Sequence, residues 1–404
     1  MLALVLLASA CEPNVQGRWE AETPSDLEGE PIARGDFAER SECGVGTPTG
    51  EGLARLIRTP FLQNVTADAA TVLWVGDAVA EVDLVVETPE GEVVAVVPAE
   101  PDPGAALEEG LQLRARAEGL DAGETYCWHL RDGAGPLTAP AGLETAPVDM
   151  DAPVRFAVWG DSGTGGIDQV QLQAQMDTVD FDLALHVGDL AYPTATREAL
   201  QDYVFDIYPA LFAQVPFFPV PGNHDYSADD AAPFREAFEL PVIDDPASGE
   251  RWYAFDWGSV HFVAMDTEAL NEDQLAWLER DLEAHQDAPW IVVYGHHPPY
   301  SSGHHGSSSR MRELTETFER HGVDLVFTGH DHHYERTVDL NGVTYVVTGG
   351  GGAGTRSASR SEWTARTEVV AHFVMVEATR DRMSMHAIDA TGNEFDRAVF
   401  HAQR

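Results

Sequence analysis

Five short apolar runs between residues 156 and 332 each break into a glycine followed by side chains that bind metals or protons, which restricts the fold more than any other feature. Phe156-Ala157-Val158-Trp159 runs into Gly160-Asp161-Ser162-Gly163, and Leu183 to Val187 into Gly188-Asp189-Leu190-Ala191-Tyr192. Phe217 to Pro221 runs into Gly222-Asn223-His224-Asp225, Trp290 to Tyr294 into Gly295-His296-His297-Pro298, and Leu325 to Thr328 into Gly329-His330-Asp331-His332. Apolar runs this short read as buried strands. Ligands of α/β sheets gather beyond the carboxyl ends of the strands, so the five loops are expected to converge. The glycine ahead of each polar residue is expected to let the backbone turn sharply off the strand. Between the strands, Asn271 is placed to cap a helix with Leu275, Leu278 and Leu282 on one face and Gln274 closing a capping box. Met311, Leu314 and Phe318 form a second stripe that stops at Gly322. Asn341-Gly342 marks a type I′ hairpin. Everything after Pro147 therefore reads as an α/β layered domain with a mixed sheet.

The strand ends offer Asp161, Asp189, Tyr192, Asn223, His296, His330 and His332 as metal donors. Seven donors exceed one tetrahedral ion and suit two ions that share a bridging carboxylate. Oxygen and imidazole donors without thiolate select Zn(II), Mn(II) or Fe over softer metals. His330 and His332, two apart, can serve one ion each. His224, next to Asn223, is the first candidate for a general acid, and His304 and His305 follow in the loop after His296. His186 and His261 lie in apolar runs and read as core residues, whereas His297 and His333 stand beside donors. Gly349 to Gly352 lacks the Lys-Ser/Thr of a phosphate loop and reads as close backbone packing near the metals.

Upstream, residues 53–147 alternate in the manner of strands, as in Leu111 to Ala117 and Tyr126 to Leu130, with Pro89-Glu90-Gly91 turning between two apolar runs. Short strands at this spacing suggest a small β-sandwich. Residues 12–52 are rich in Glu, Pro, Gly and Asp without a hydrophobic period and read as an acidic linker. Residues 1–11 run from an apolar stretch through Ala8-Ser9-Ala10 to Cys11, a pattern resembling a bacterial lipoprotein signal, with Cys11 as a lipid anchor. The chain is thus expected to be exported: periplasmic, extracellular or on the outer surface. Export would permit a Cys43–Cys127 disulfide, though free thiols fit the sequence equally.

Taken in order, Gly-Asp-x-Gly, Gly-Asp-x-x-Tyr, Gly-Asn-His-Asp, Val293-x-x-His296 and Gly-His-x-His resemble the purple acid phosphatases within the calcineurin-like metallophosphoesterases. The likeness covers roughly residues 55–400. It includes a fibronectin type III-like leading domain from Arg58-Thr59-Pro60-Phe61-Leu62, the segment Phe255 to Phe262, and Tyr334-Glu335-Arg336. Where the wider superfamily opens with Asp-x-His, Gly163 replaces the histidine and Tyr192 supplies a phenolate. The resemblance implies a layered β-sandwich flanked by helices as the catalytic domain, spanning 148–404. It implies Fe(III) on Asp161, Asp189, Tyr192 and His332, and a divalent Zn, Mn or Fe on Asp189, Asn223, His296 and His330. It also implies attack on phosphorus by a metal-bound hydroxide, with a histidine protonating the leaving group.

Charge narrows the partners. The chain of 404 residues has 68 acidic residues against 24 basic ones, all Arg, for a formal charge of −44 spread over both halves. A polyanion of this kind excludes nucleic acid as a partner. A small phosphomonoester is the expected substrate. A phosphodiesterase or nucleotide hydrolase on the same site is the near alternative, and a non-catalytic surface module the more distant one. Sequence leaves the oligomeric state open.

Overall fold

The computed structural model describes residues 27–76, 81–102, 110–243 and 248–402. The expected leader, with Cys11, and the start of the acidic linker lie outside the described residues. The rest of that linker, 27–52, has little regular structure but is not detached. Ile32 is buried, Gly35 and Phe37 donate backbone hydrogen bonds to Thr178 and Asp177, and Arg40 donates to the carbonyls of Val179 and Met176. Cys43 is joined to Cys127 by a disulfide. Low hydrophobicity did not release this segment, because its backbone groups and one cross-link find partners on the body.

Residues 56–144 form two antiparallel sheets. One orders Leu56–Gln63, Ala69–Gly76, Leu111–Glu118 and Glu100–Pro101; the other pairs Val93–Pro98, Val82–Glu87 and Thr125–Asp132, with short strands at its edge. The alternating side chains read from sequence, among them Leu113, Ala115, Trp128 and Leu130, point into the shared core. Hydrogen bonds tie this sandwich to the larger unit downstream: Trp128 Nε1 donates to Ala213 O at 3.1 Å and Gln63 Nε2 to Phe217 O at 2.8 Å.

Two mixed sheets make up the larger unit. The first orders Phe217–Pro219, Leu183–His186, Val154–Trp159, His372–Ala378, Arg382–Asp389 and Glu394–His401, its first three strands parallel. The second orders Tyr253–Trp257, Val260–Ala264, Trp290–Tyr294, Leu325–Thr328, Thr344–Thr348, Tyr334–Thr337 and Thr364–Glu368. The sheets meet face to face: the Phe156 ring lies edge-on to Phe262 at 5.0 Å and to Phe327 at 6.4 Å. Alternation explains why these strands read as continuous apolar runs. Val292 and Tyr294 face the inter-sheet core, while Ile291 and Val293 pack outward with Trp277, Leu278 and Leu282 of the helix Glu272–His285.

That helix corrects two expectations. Asn271 does cap it, accepting from Gln274 N at 2.9 Å, but the reciprocal bond of a capping box is absent. The Gln274 side chain turns inward and bonds both backbone groups of Asp266. The buried stripe therefore runs through Gln274, Trp277, Leu278 and Leu282, leaving Leu275 exposed. The Met311–Phe318 stripe divides into two short helices, Ser309–Arg312 and Thr315–His321, the latter stopped by Gly322 at φ 71°. Asn341 and Gly342 both have positive φ, as a type I′ turn requires.

Candidate metal centre

Because Val154–Trp159, Leu183–His186 and Phe217–Pro219 are parallel, and Trp290–Tyr294 and Leu325–Thr328 likewise, their carboxyl ends open together at one edge of the two sheets. The first two loops zip side by side, Asp161 N donating to Gly188 O, Gly163 N to Leu190 O and Tyr192 N back to Gly163 O. A Cβ on Gly163 would fall 2.0 Å from Leu190 O, so no histidine fits there. Tyr192, from the neighbouring loop, brings its hydroxyl to Asp161.

The glycines ahead of the donors serve close approach more than turning. A Cβ on Gly222 would lie 2.3 Å from Asp189 Oδ1, and one on Gly329 2.4 Å from Asp161 Oδ2. The turn is taken by the donors themselves: Asp161, Asp189 and His330 have φ of 57°, 55° and 68°. Non-glycine residues hold this left-handed conformation at a cost of roughly 1–3 kcal/mol, and such strain collects at functional sites. Gly349 approaches the same place, where a Cβ would meet Asp161 Oδ2 at 2.7 Å.

The seven donors fall into two groups. Tyr192 OH lies 2.9 Å from Asp161 Oδ1, 2.9 Å from Asp189 Oδ2 and 3.1 Å from His332 Nε2. His296 Nε2 lies 3.3 Å from Asp189 Oδ2, 3.2 Å from Asn223 Oδ1 and 3.2 Å from His330 Nδ1. Asp189 Oδ2 belongs to both. One hydroxyl hydrogen cannot serve three acceptors, and neither can one imidazole hydrogen. His296 and His332 moreover commit their Nδ1 atoms to the carbonyls of Val187 and Gly354, which turns Nε2 lone pairs toward the cluster. Edges of 2.9–3.3 Å are those of ligands about 2.1 Å from a common ion. The donor set fits two adjacent cations.

The side chains of the cluster perturb one another. Burial and the two carboxylates drive the Tyr192 phenol far above its usual range. Burial opposes a charge on His296, yet Asp189 raises that ring to about 10. Burial, with His296 next, pushes His330 down to about 2.

A model of the calcineurin-like phosphoesterase family matches residues 154–334. That stretch is a calcineurin-like phosphoesterase domain. The chain is 30% identical over 210 residues to acid phosphatase type 7 of Mus musculus, covering 45% of this chain and 47% of the relative. It is 32% identical over 221 residues to purple acid phosphatase 21 of Arabidopsis thaliana, half of each chain, and 30% over 280 residues to purple acid phosphatase 23 of that plant, 58% and 61%. The chain thus spans about half the length of the curated relatives it matches. A solved structure described as GAP50, the anchor in the inner membrane complex of Plasmodium, shares the fold with a TM-score of 0.53 at 19% identity, over 62% of this chain and 90% of that one.

Around the candidate metal centre the remaining histidines separate. The His224 ring lies tilted against Tyr192 at 4.2 Å, donates from Nδ1 to Pro193 O at 2.6 Å, and holds Nε2 3.9 Å from Asp189 Oδ2. His305 lies over the His330 ring at 4.3 Å, and so does His297, which also meets Glu268. His304 is exposed and touches the ring of His305. His333 points into the interior toward Glu335, and His186 pairs with Ser162. Sequence reading missed the residues that hold the loops. Buried Asp225 accepts from Leu190 N and Gly222 N, and burial beside Asp189 raises its carboxyl to about 8. Buried Asp331 accepts from Ser301 Oγ, His305 N and Gly306 N. Thr267 Oγ1 accepts from the backbones of His296 and His297. Asp225 and Asp331 stand in plain view inside the Gly-Asn-His-Asp and Gly-His-x-His motifs, whereas Thr267 has no local signal.

Asp256, His261 and His285 also bring three donors together away from the candidate centre. There both nitrogens of His261 are taken, by Asp256 at 2.7 Å and Asp281 at 2.9 Å, and its ring stacks on His285 at 3.7 Å, 14° from parallel. Parallel rings send their lone pairs side by side, not to one point. Burial disfavours charge on His261, but the two carboxylates raise it to about 9, making an ion-paired imidazolium of it.

Proposed function

We propose that this chain is a secreted or surface-anchored phosphatase that hydrolyses small phosphomonoesters at a binuclear metal centre. The observation that carries the reading is the division of seven donors into two groups sharing Asp189 Oδ2. Asp161, Asp189, Tyr192 and His332 would hold a ferric ion, two carboxylates and a phenolate being hard ligands. Asp189, Asn223, His296 and His330 would hold a divalent Zn, Mn or Fe. Two such ions, when bound, activate water at mild pH and neutralise phosphoryl oxygens. The protein's own part is to orient and to move a proton. His224, fixed through Nδ1 by Pro193 O, turns Nε2 to the centre and protonates the departing alkoxide. His305 covers His330, and its loop is tied down by Asp331, so it bounds the substrate on the opposite side; His304 supports it.

The leading sandwich, 53–147, is read as a fibronectin type III-like domain ahead of the catalytic domain, 148–404. Export is supported by the Cys43–Cys127 disulfide, which belongs in an oxidising compartment. Metal analysis with an absorption spectrum, beside turnover of p-nitrophenyl phosphate and its bis ester, tests the proposal. Two equivalents of metal including iron, a visible band lost in Tyr192→Phe, and faster monoester cleavage are expected. Less than one equivalent with no hydrolysis would leave a binding module, and faster diester cleavage a phosphodiesterase.

A further inference from the structure

In a chain carrying 68 carboxylates, a cation at the mouth of the centre stands out. Arg356 occupies such a place. Its backbone N–H donates to His332 O at 2.9 Å, which moors it directly to a donor residue. Its guanidinium contacts Nε2 of His305, the ring lying 4.3 Å over His330. Three residues on, the same loop is sewn to that of His305, for Ser359 donates to Ser302 O through both N and Oγ. Arg356 is only partly covered, and among the described residues it pairs with no carboxylate. A guanidinium placed this way, with one terminal nitrogen on His305 and no carboxylate partner among the described residues, is a receiver for a planar or tetrahedral anion.

We propose that Arg356 is a substrate-binding residue that receives a phosphoryl oxygen and selects phosphomonoester dianions over phosphodiester monoanions. The inference rests on the proposed phosphatase function. A monoester has three non-bridging oxygens sharing two charges. Two can be neutralised at the cations, and the third is left for a guanidinium on the His305 side. A diester has only two such oxygens, so its second organic substituent would meet Arg356 without charge or acceptor strength to repay the contact.

The test compares wild type, Arg356→Ala and Arg356→Lys as metal-loaded proteins, with p-nitrophenyl phosphate, its bis ester and inorganic phosphate. Arg356→Ala should raise KM for the monoester about 10-fold or more, the scale of a lost hydrogen bond between charged groups. Turnover at saturation should change much less, diester cleavage by about twofold at most, and metal content not at all. Arg356→Lys should recover part of the monoester KM, since the charge returns without the fork. Calorimetry with inorganic phosphate should show the same loss of affinity in Arg356→Ala. An equal fall for both esters, an unchanged monoester KM, or unaltered phosphate affinity overturns the inference. Should wild type cleave neither ester, the phosphatase reading fails, and phosphate calorimetry still judges Arg356 alone.

Discussion

Gly222→Ala is the smallest change that should disable the centre. Gly222 has φ −118° and ψ −174°, extended backbone open to any residue, so alanine there carries no conformational penalty. The added methyl, however, would lie 2.3 Å from Asp189 Oδ1, 2.5 Å from Asp189 N and 2.9 Å from His296 Cγ. A carbon needs about 3.3–3.5 Å from such atoms, so Asp189 must retreat by about 1 Å. It cannot swing freely, because His224 N holds Oδ1 at 2.7 Å and Tyr192 OH holds Oδ2 at 2.9 Å. Displacements near 1 Å cost on the order of 100-fold in rate, and overpacking costs about 1–3 kcal/mol of stability. Metal content, kcat/KM and a denaturation curve should be measured on this variant and on Gly133→Ala. Gly133 has ordinary φ and nothing within 4 Å of its would-be Cβ. The first variant should fold, lose about 100-fold in kcat/KM and retain less metal, while the second matches wild type. Wild-type turnover and metal content in Gly222→Ala would refute the crowding of Asp189.

Asp189→Ala should release both metals and abolish turnover; retention of two equivalents in metal analysis counts against a shared carboxylate. His224→Ala should keep the metals and lower kcat by about 100-fold on an alkyl phosphate, less on p-nitrophenyl phosphate, whose leaving group needs no proton. For His261, the folded value near 9 against about 6.5 unfolded gives stability that is fully present below pH 6.5 and lost as pH rises through 9. The shift corresponds to at most about 3–4 kcal/mol, reduced by solvent around the exposed Asp256. Denaturation of wild type and His261→Gln across pH 6–10 should converge on the alkaline side, and parallel curves would contradict the ion pair. Serine at Cys43 and Cys127 removes a link across 84 residues, worth up to about 4.5 kcal/mol on the loop-entropy account. The variant's midpoint in urea should fall accordingly, to the value of the reduced wild type.

Sequence discloses what is periodic or local in this protein. Strands such as Trp290–Tyr294 are buried on both faces and announce themselves by unbroken apolarity, and the donors come within a few residues of each. The convergence of the donors was accessible for the same reason, since parallel strands deliver their ends to one edge, whereas their division between two ions was legible only through the family resemblance. Distance effects were not. Nothing near Gly222 or Gly329 says that each backs onto a carboxylate from another loop, and left-handed φ at Asp161 and Asp189 shows only in the folded backbone. Leu275 misled because Leu outranks Gln in any hydrophobic pattern, while Gln274 is buried for its two bonds to Asp266. Residues 27–52 misled for a related reason: their attachment is by backbone hydrogen bonds and a disulfide, which composition does not record.

Asp161, Asp189, Tyr192 and Asn223 succeed strands of the six-stranded sheet, whereas His296, His330 and His332 succeed strands of the seven-stranded one. Each group of donors draws on both, so whatever cation sits there fastens the two leaves of the domain at their open edge. Chelation should consequently reach beyond chemistry: amide exchange ought to quicken along Leu183–His186 and Leu325–Thr328 as the seam begins to part.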